Sequence, residues 1–136
     1  GGKYNVKYNW ENSSPKIMIC KDANTKAEIV EEAADFWRSE GYSIGDIVVE
    51  KNNECSDEYE YGYILITGQA DLNIKKYNAM TYPWTNSDTG RLISSIIQVQ
   101  KEYANNVHLI KHELGHGLGL GHTNYQKHLM YGYHTY

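Results

Sequence analysis

Residues 112–122 read HELGHGLGLGH, and this stretch narrows what the chain can fold into more than any other. His112 and His116 are four residues apart, so a helix sets their side chains one above the other on the same face. Two imidazoles placed this way can meet one tetrahedral zinc ion at about 2.0–2.1 Å. Glu113 projects beside them, where a carboxylate can take a proton from a water held at the metal. The chain must then reverse sharply. Gly119 suits that turn because glycine adopts left-handed backbone angles with little steric penalty. His122 follows as a third ligand. Three protein nitrogens leave the fourth position of a zinc ion open, which marks a catalytic site and not a closed structural one. A bare His-Glu-x-x-His occurs by chance in unrelated helices, but the added glycine and third histidine make chance a poor account. A fold for this chain must therefore offer a rigid helix, a tight turn after it and a cleft above both.

The rest of the composition is compatible with such a fold. At 136 residues, with 40% hydrophobic and 22% charged side chains, the chain is expected to form one globular domain over residues 1–136. A formal charge of −4 and lysines scattered singly or in pairs, as at Lys75 and Lys76, argue against nucleic acid as a partner. No run approaches the roughly 20 apolar residues of a membrane span. Thirteen tyrosines against one phenylalanine are unusual, and a wet aromatic surface is the plainer reading. Gly1 and Gly2 fit a trimmed terminus, so the expectation is a piece of a longer precursor. Cys20 and Cys55 are an even pair that suits a disulfide in an exported protein, with two buried thiols as the alternative.

Periodicity predicts the order strand, helix, four strands and a second helix. KIMIC (16–20) reads as a buried strand. Thr25 and Glu28 make a capping box, and Val30, Ala33, Ala34 and Trp37 follow at helical spacing to a stop at Gly41, which predicts a helix from about 26 to 40. DIVVE (46–50) and YGYILITG (61–68) read as strands. YNAMTYPWT (77–85) reads as another, and Pro83 favours the edge of the sheet for it. GRLISSIIQVQ (90–100) carries bulky residues in pairs, as a strand covered on both faces would. The acidic stretch NNECSDEYE is expected to be a solvated loop; calcium there is conceivable but lacks a recognisable ligand pattern. The second helix is expected to start with Asn105 or Asn106 as N-cap, with Val107, Ile110, Leu114 and Leu118 facing the core. His108 is expected to be partly exposed and His128 a turn residue. The fold class that follows is α/β (α+β) with a mixed five-stranded sheet.

His112, Glu113, His116, Gly119 and His122 match the metzincin signature HExxHxxGxxH, and the chain resembles that group of zinc peptidases. Met130, in HLMYGY, then looks like the metzincin Met-turn below the metal. Thr123 after the third histidine makes the chain most similar to the matrixins, and in particular to minimal microbial matrixin-like peptidases. The stretch 79–100 looks like their edge strand, loop and following strand. The chain departs from matrixins in having Gly132 where proline is usual. Gly132 also cannot be the zinc-binding tyrosine of astacins and serralysins. The six residues after Met130 imply a minimal C-terminal part.

The resemblance implies an antiparallel edge strand, a backing helix and an active-site helix. It implies a zinc-dependent endopeptidase with one catalytic Zn²⁺, in which Glu113 serves as general base and acid. An extended protein or peptide substrate is expected to pair with the edge strand at Ala79, Met80, Thr81 and Tyr82, while Tyr131 and Tyr133, beside His134, line the pocket wall. The chain is expected to be a secreted monomer. Two other functions fit the same residues: a catalytically silent binding module, and a zinc amidohydrolase acting on a non-protein amide such as a peptidoglycan cross-link.

Overall fold

A computed structural model of the chain describes residues 4–52, 55, 58–68, 77–123 and 129–130. The elements run β1 (Lys16–Ile19), α1 (Ala27–Ser39), β2 (Ile47–Val49), β3 (Tyr63–Gly68), β4 (Ala79–Thr85), β5 (Leu92–Val99) and α2 (Val107–Gly117). The five strands form one sheet in the order β2-β1-β3-β5-β4. Strands β2, β1, β3 and β5 are parallel to their neighbours, and β4 runs antiparallel to β5 at the end of the sheet. Pro83 thus lies on an end strand, where its missing N–H leaves no gap in a central ladder.

Side-chain alternation divides the strands between two apolar layers. Ile17, Ile19, Ile64, Ile66, Ile97 and Val99 join Val30, Ala33, Ala34 and Trp37 of α1 and Leu109, Ile110 and Leu114 of α2 in the main core. Leu65 and Ile96 turn to the opposite face, where they pack with Cys20 and Cys55. The paired bulky residues of β5 are therefore covered on both sides. The two cysteines form a disulfide, with Cα atoms 5.7 Å apart, which resolves the alternatives left open by their spacing.

Each helix end has its own account. Gly41 closes α1: its N–H donates to Arg38 O, and the Tyr42 N–H to Trp37 O. The expected capping box does not form. Lys26 is the N-cap of α1, and no side chain of α1 caps it. Instead the Lys26 N–H donates to Asn105 Oδ1 at 2.8 Å, so a residue from beside the other helix satisfies this backbone group. Asn106 is the N-cap of α2, accepting from the Leu109 N–H at 3.1 Å. Val107 is only half-buried and Leu109 is wholly buried, so Leu109 takes the core position expected of Val107. The helices are tied side to side by Trp37, whose indole N–H donates to Lys111 O at 2.8 Å.

Candidate active site

The C-terminal half of α2 carries the site. Its face toward the core holds Ile110 and Leu114, and this fixes the roll of the helix so that His112, Glu113 and His116 line a cleft of about 600 Å³. The helix ends in a Schellman motif: the Leu120 N–H reaches Gly115 O at 3.0 Å and the Gly119 N–H reaches His116 O at 2.9 Å. Gly119 has φ of +106°, and a Cβ there would lie 2.2 Å from Tyr8 O. Only glycine allows both the turn and this close approach. The turn brings His122 back over the helix.

The three histidines converge. His116 Nε2 lies 3.1 Å from His112 Nε2 and 3.1 Å from His122 Nε2. The edges of a tetrahedron of nitrogens around zinc, at the usual bond length, are about 3.3 Å, so the trio fits the ion. Their second nitrogens also fit. His112 Nδ1 donates to Leu129 O at 2.7 Å and His116 Nδ1 donates to Leu120 O at 2.8 Å, leaving the Nε2 lone pairs directed at one point. Burial holds His116 down to about 4, against the Leu120 carbonyl bond, with His122 and Lys7 lowering it further. It is neutral, as a ligand must be, well into acid. Among the described residues this trio is the one group of three or more potential metal ligands. Asn53, Glu54, Ser56 and Asp57 of the acidic stretch lie outside the described residues.

Glu113 is 5% exposed and sits beside the trio. Burial pushes its carboxyl up to about 7, although the Thr81 hydroxyl pulls the other way by donating to Oε1 at 2.7 Å. Thr81, one of the residues expected at the substrate edge, thus also positions Glu113.

Met130 lies beneath α2, wholly buried. Its backbone carbonyl accepts from the Thr123 N–H at 3.0 Å, and the neighbouring Leu129 carbonyl accepts from His112, so this turn holds one histidine of the trio directly and the residue next to another. A Cβ on Gly115 would lie 2.5 Å from the Met130 sulfur and 2.7 Å from Trp37. Gly115 therefore lets the methionine and the tryptophan close against the helix backbone. Sequence reasoning passed over it, although a glycine inside a helix, at a cost of about 1 kcal/mol relative to alanine, is itself a signal of close approach.

Of the expected substrate residues, Ala79, Met80 and Thr81 line the cleft, with Tyr77, Asn78 and Pro83 along the same wall. Tyr82 does not line it; its hydroxyl points to the Met80 sulfur at 3.6 Å. Tyr131, Tyr133 and His134 lie outside the described residues, as does His128. His108 is exposed and does not belong to the histidine trio.

The opposite wall consists of Lys7, Tyr8 and Leu120–His122. The N-terminal segment had no assigned place, yet Tyr4, Val6, Tyr8 and Trp10 alternate at the period of a strand. Trp10 donates its indole N–H to Gly117 O at 3.0 Å, and Ser95 Oγ donates to the same carbonyl at 2.9 Å. Two side chains thus satisfy a carbonyl that the helix end leaves without an intrahelical partner.

The sequence pattern of the family described as Matrixin matches residues 32–136. No curated protein matches the chain.

Proposed function

The chain belongs to the matrixin family, and from that premise we propose that it is a zinc-dependent endopeptidase acting on extended protein or peptide substrates. The carrying observation is the convergence of three histidine Nε2 atoms beside a buried carboxylate, on the floor of a cleft walled by the end strand of a sheet. His112, His116 and His122 would hold one zinc ion, which when bound lowers the pKa of water toward about 7 and polarises a carbonyl. Their bonds to Leu129 and Leu120 hold the two helix histidines in the tautomer this requires. Glu113 is the proton carrier: Thr81 pins Oε1, and Oε2 is left to take a proton from the attacking water and return it to the departing amine. The edge of β4 that no described strand pairs with offers backbone groups to a substrate strand, and the cleft walls read its side chains. Met80 and Ala79 belong to this substrate-binding edge, and Met130 supports the ligands from below.

No helix among the described residues is long and apolar enough to cross a membrane. The Cys20–Cys55 disulfide supports an oxidising compartment, and we assign the protein to the outside of the cell, as a single-domain monomer.

The test is digestion of an unfolded protein by the zinc-loaded chain beside Glu113→Ala, read by mass spectrometry. Peptides released by the wild type alone, with rates at least about 100-fold above the variant, support the assignment. Zinc bound by both chains with no peptide released by either would contradict it, and would favour a binding module or a non-protein amide substrate.

A further inference from the structure

The wall facing β4 is built from a segment that ordinary loop packing would not hold so firmly. The N–H groups of Lys7 and Tyr8 both donate to Gly119 O, at 2.8 and 2.9 Å, and the Gly121 N–H donates to Asn5 O at 2.8 Å. Asn5 Nδ2 reaches His122 O at 3.2 Å, and Val6 pairs with Leu120. The segment is anchored beyond both ends of this contact. Tyr4 packs on Trp37 with ring centres 5.1 Å apart and donates to Glu40, while Trp10 is bound to Gly117. Lys7 is therefore set, at its backbone, relative to the third histidine.

Its side chain lies along the cleft. The Lys7 ammonium is 5.7 Å from the centre of the Tyr8 ring, itself a cleft residue. Among the described lining residues Lys7 is the one lysine or arginine, and Glu113 the one carboxylate. Glu113 is buried at the floor, so the charge presented to a passing substrate from the walls is positive, in a chain of net charge −4. A chain lying along β4 passes between the two walls, with its far side to Lys7.

We propose that Lys7 is a specificity residue, selecting peptides that carry an aspartate or glutamate side chain close to the scissile bond. This rests on the peptidase reading of the site. Lys7 lies outside the segment matched by the family pattern, which begins at residue 32. An acidic side chain gains a local attraction, and a basic one meets a like charge that it cannot avoid while remaining on β4. Because Lys7 is exposed, solvent and salt screen the effect, and a preference of about fivefold is expected.

The experiment uses fluorogenic peptides with both ends blocked, identical except for Asp, Asn or Lys at each position near the cleaved bond. The readout is the Asp-to-Lys ratio of kcat/KM within each protein, which cancels any general loss of activity. The wild type should favour Asp about fivefold at one position, Lys7→Met should flatten that ratio, and Lys7→Glu should reverse it. Anisotropy of the same peptides on zinc-loaded Glu113→Gln, with and without Lys7→Glu, reads the preference as binding. A preference unchanged by Lys7→Glu in both readouts overturns the proposal. A parallel set with the C-terminus unblocked supplies the control: a gain that appears only with a free C-terminal carboxylate overturns the side-chain form and assigns Lys7 to a chain end. Lys7-dependent binding without any cleavage would remove the peptidase reading and leave the charge selection standing.

Discussion

At the scale of single residues, Glu113 and His116 are held in the neutral form by the same cause, burial, with opposite consequences for stability. In the metal-free chain the carboxyl is raised from 4.5 to about 7, so its contribution is fully present below about 4.5 and is lost as pH rises through 7. The imidazole is lowered from 6.5 to about 4, so its contribution is present above about 6.5 and lost as pH falls through 4. Between these limits the two trends oppose each other. Glu113→Gln keeps an acceptor for Thr81 and removes one of them. With chelator present, urea unfolding should find the variant gaining on the wild type from pH 4.5 to 7, by on the order of 3 kcal/mol, and holding level above that. A difference that stays flat across this range would mean that Glu113 is ionised in the folded chain.

At the scale of elements, the geometry depends on how closely other parts approach the backbone of α2. Gly115→Ala decides between two effects of opposite sign. Helix propensity favours alanine by about 1 kcal/mol, whereas the new methyl group would meet the Met130 sulfur and the Trp37 ring well inside contact distance. Overpacking should win, with a net loss of about 1–3 kcal/mol in thermal or chemical unfolding. A more stable variant would show that the methionine turn can move away freely. The elements themselves were largely legible in the sequence, because both helices and all five strands have an apolar period that their burial requires. What was not legible depended on distant partners. Thr25 and Glu28 have the spacing of a cap, but Asn105, 79 residues from Lys26, supplies the bond. The alternating N-terminal segment finds its partners at the end of α2 and in the loop after it, more than 100 residues away, and at Leu92 of β5, through two isolated bridges and a few carbonyls. No local pattern encodes such a pairing, so the wall bearing Lys7 went unread.

At the scale of the whole molecule, the sheet and its two helices act as a frame that fixes one end of α2 while its loop, the Met130 turn and the N-terminal segment close around the three histidines. The convergence of the three histidines was legible because their spacing is a local property of a helix and a turn. The commitment of Thr81 to Glu113 was not, since it depends on how β4 lies across α2. The pairing of Cys20 with Cys55 was equally unresolved, since 35 residues of separation allow it without requiring it, and the disulfide became evident only from the packing behind the sheet. The central claim, that one zinc ion on this frame makes a peptidase, is tested most directly by stripping the chain with chelator and returning zinc in small steps. Peptide release from an unfolded protein should rise with each addition and break at one ion per chain, with Glu113→Gln binding to the same break and releasing nothing. Cleavage that persists without metal, or a full complement of zinc with no cleavage by the wild type, would contradict it.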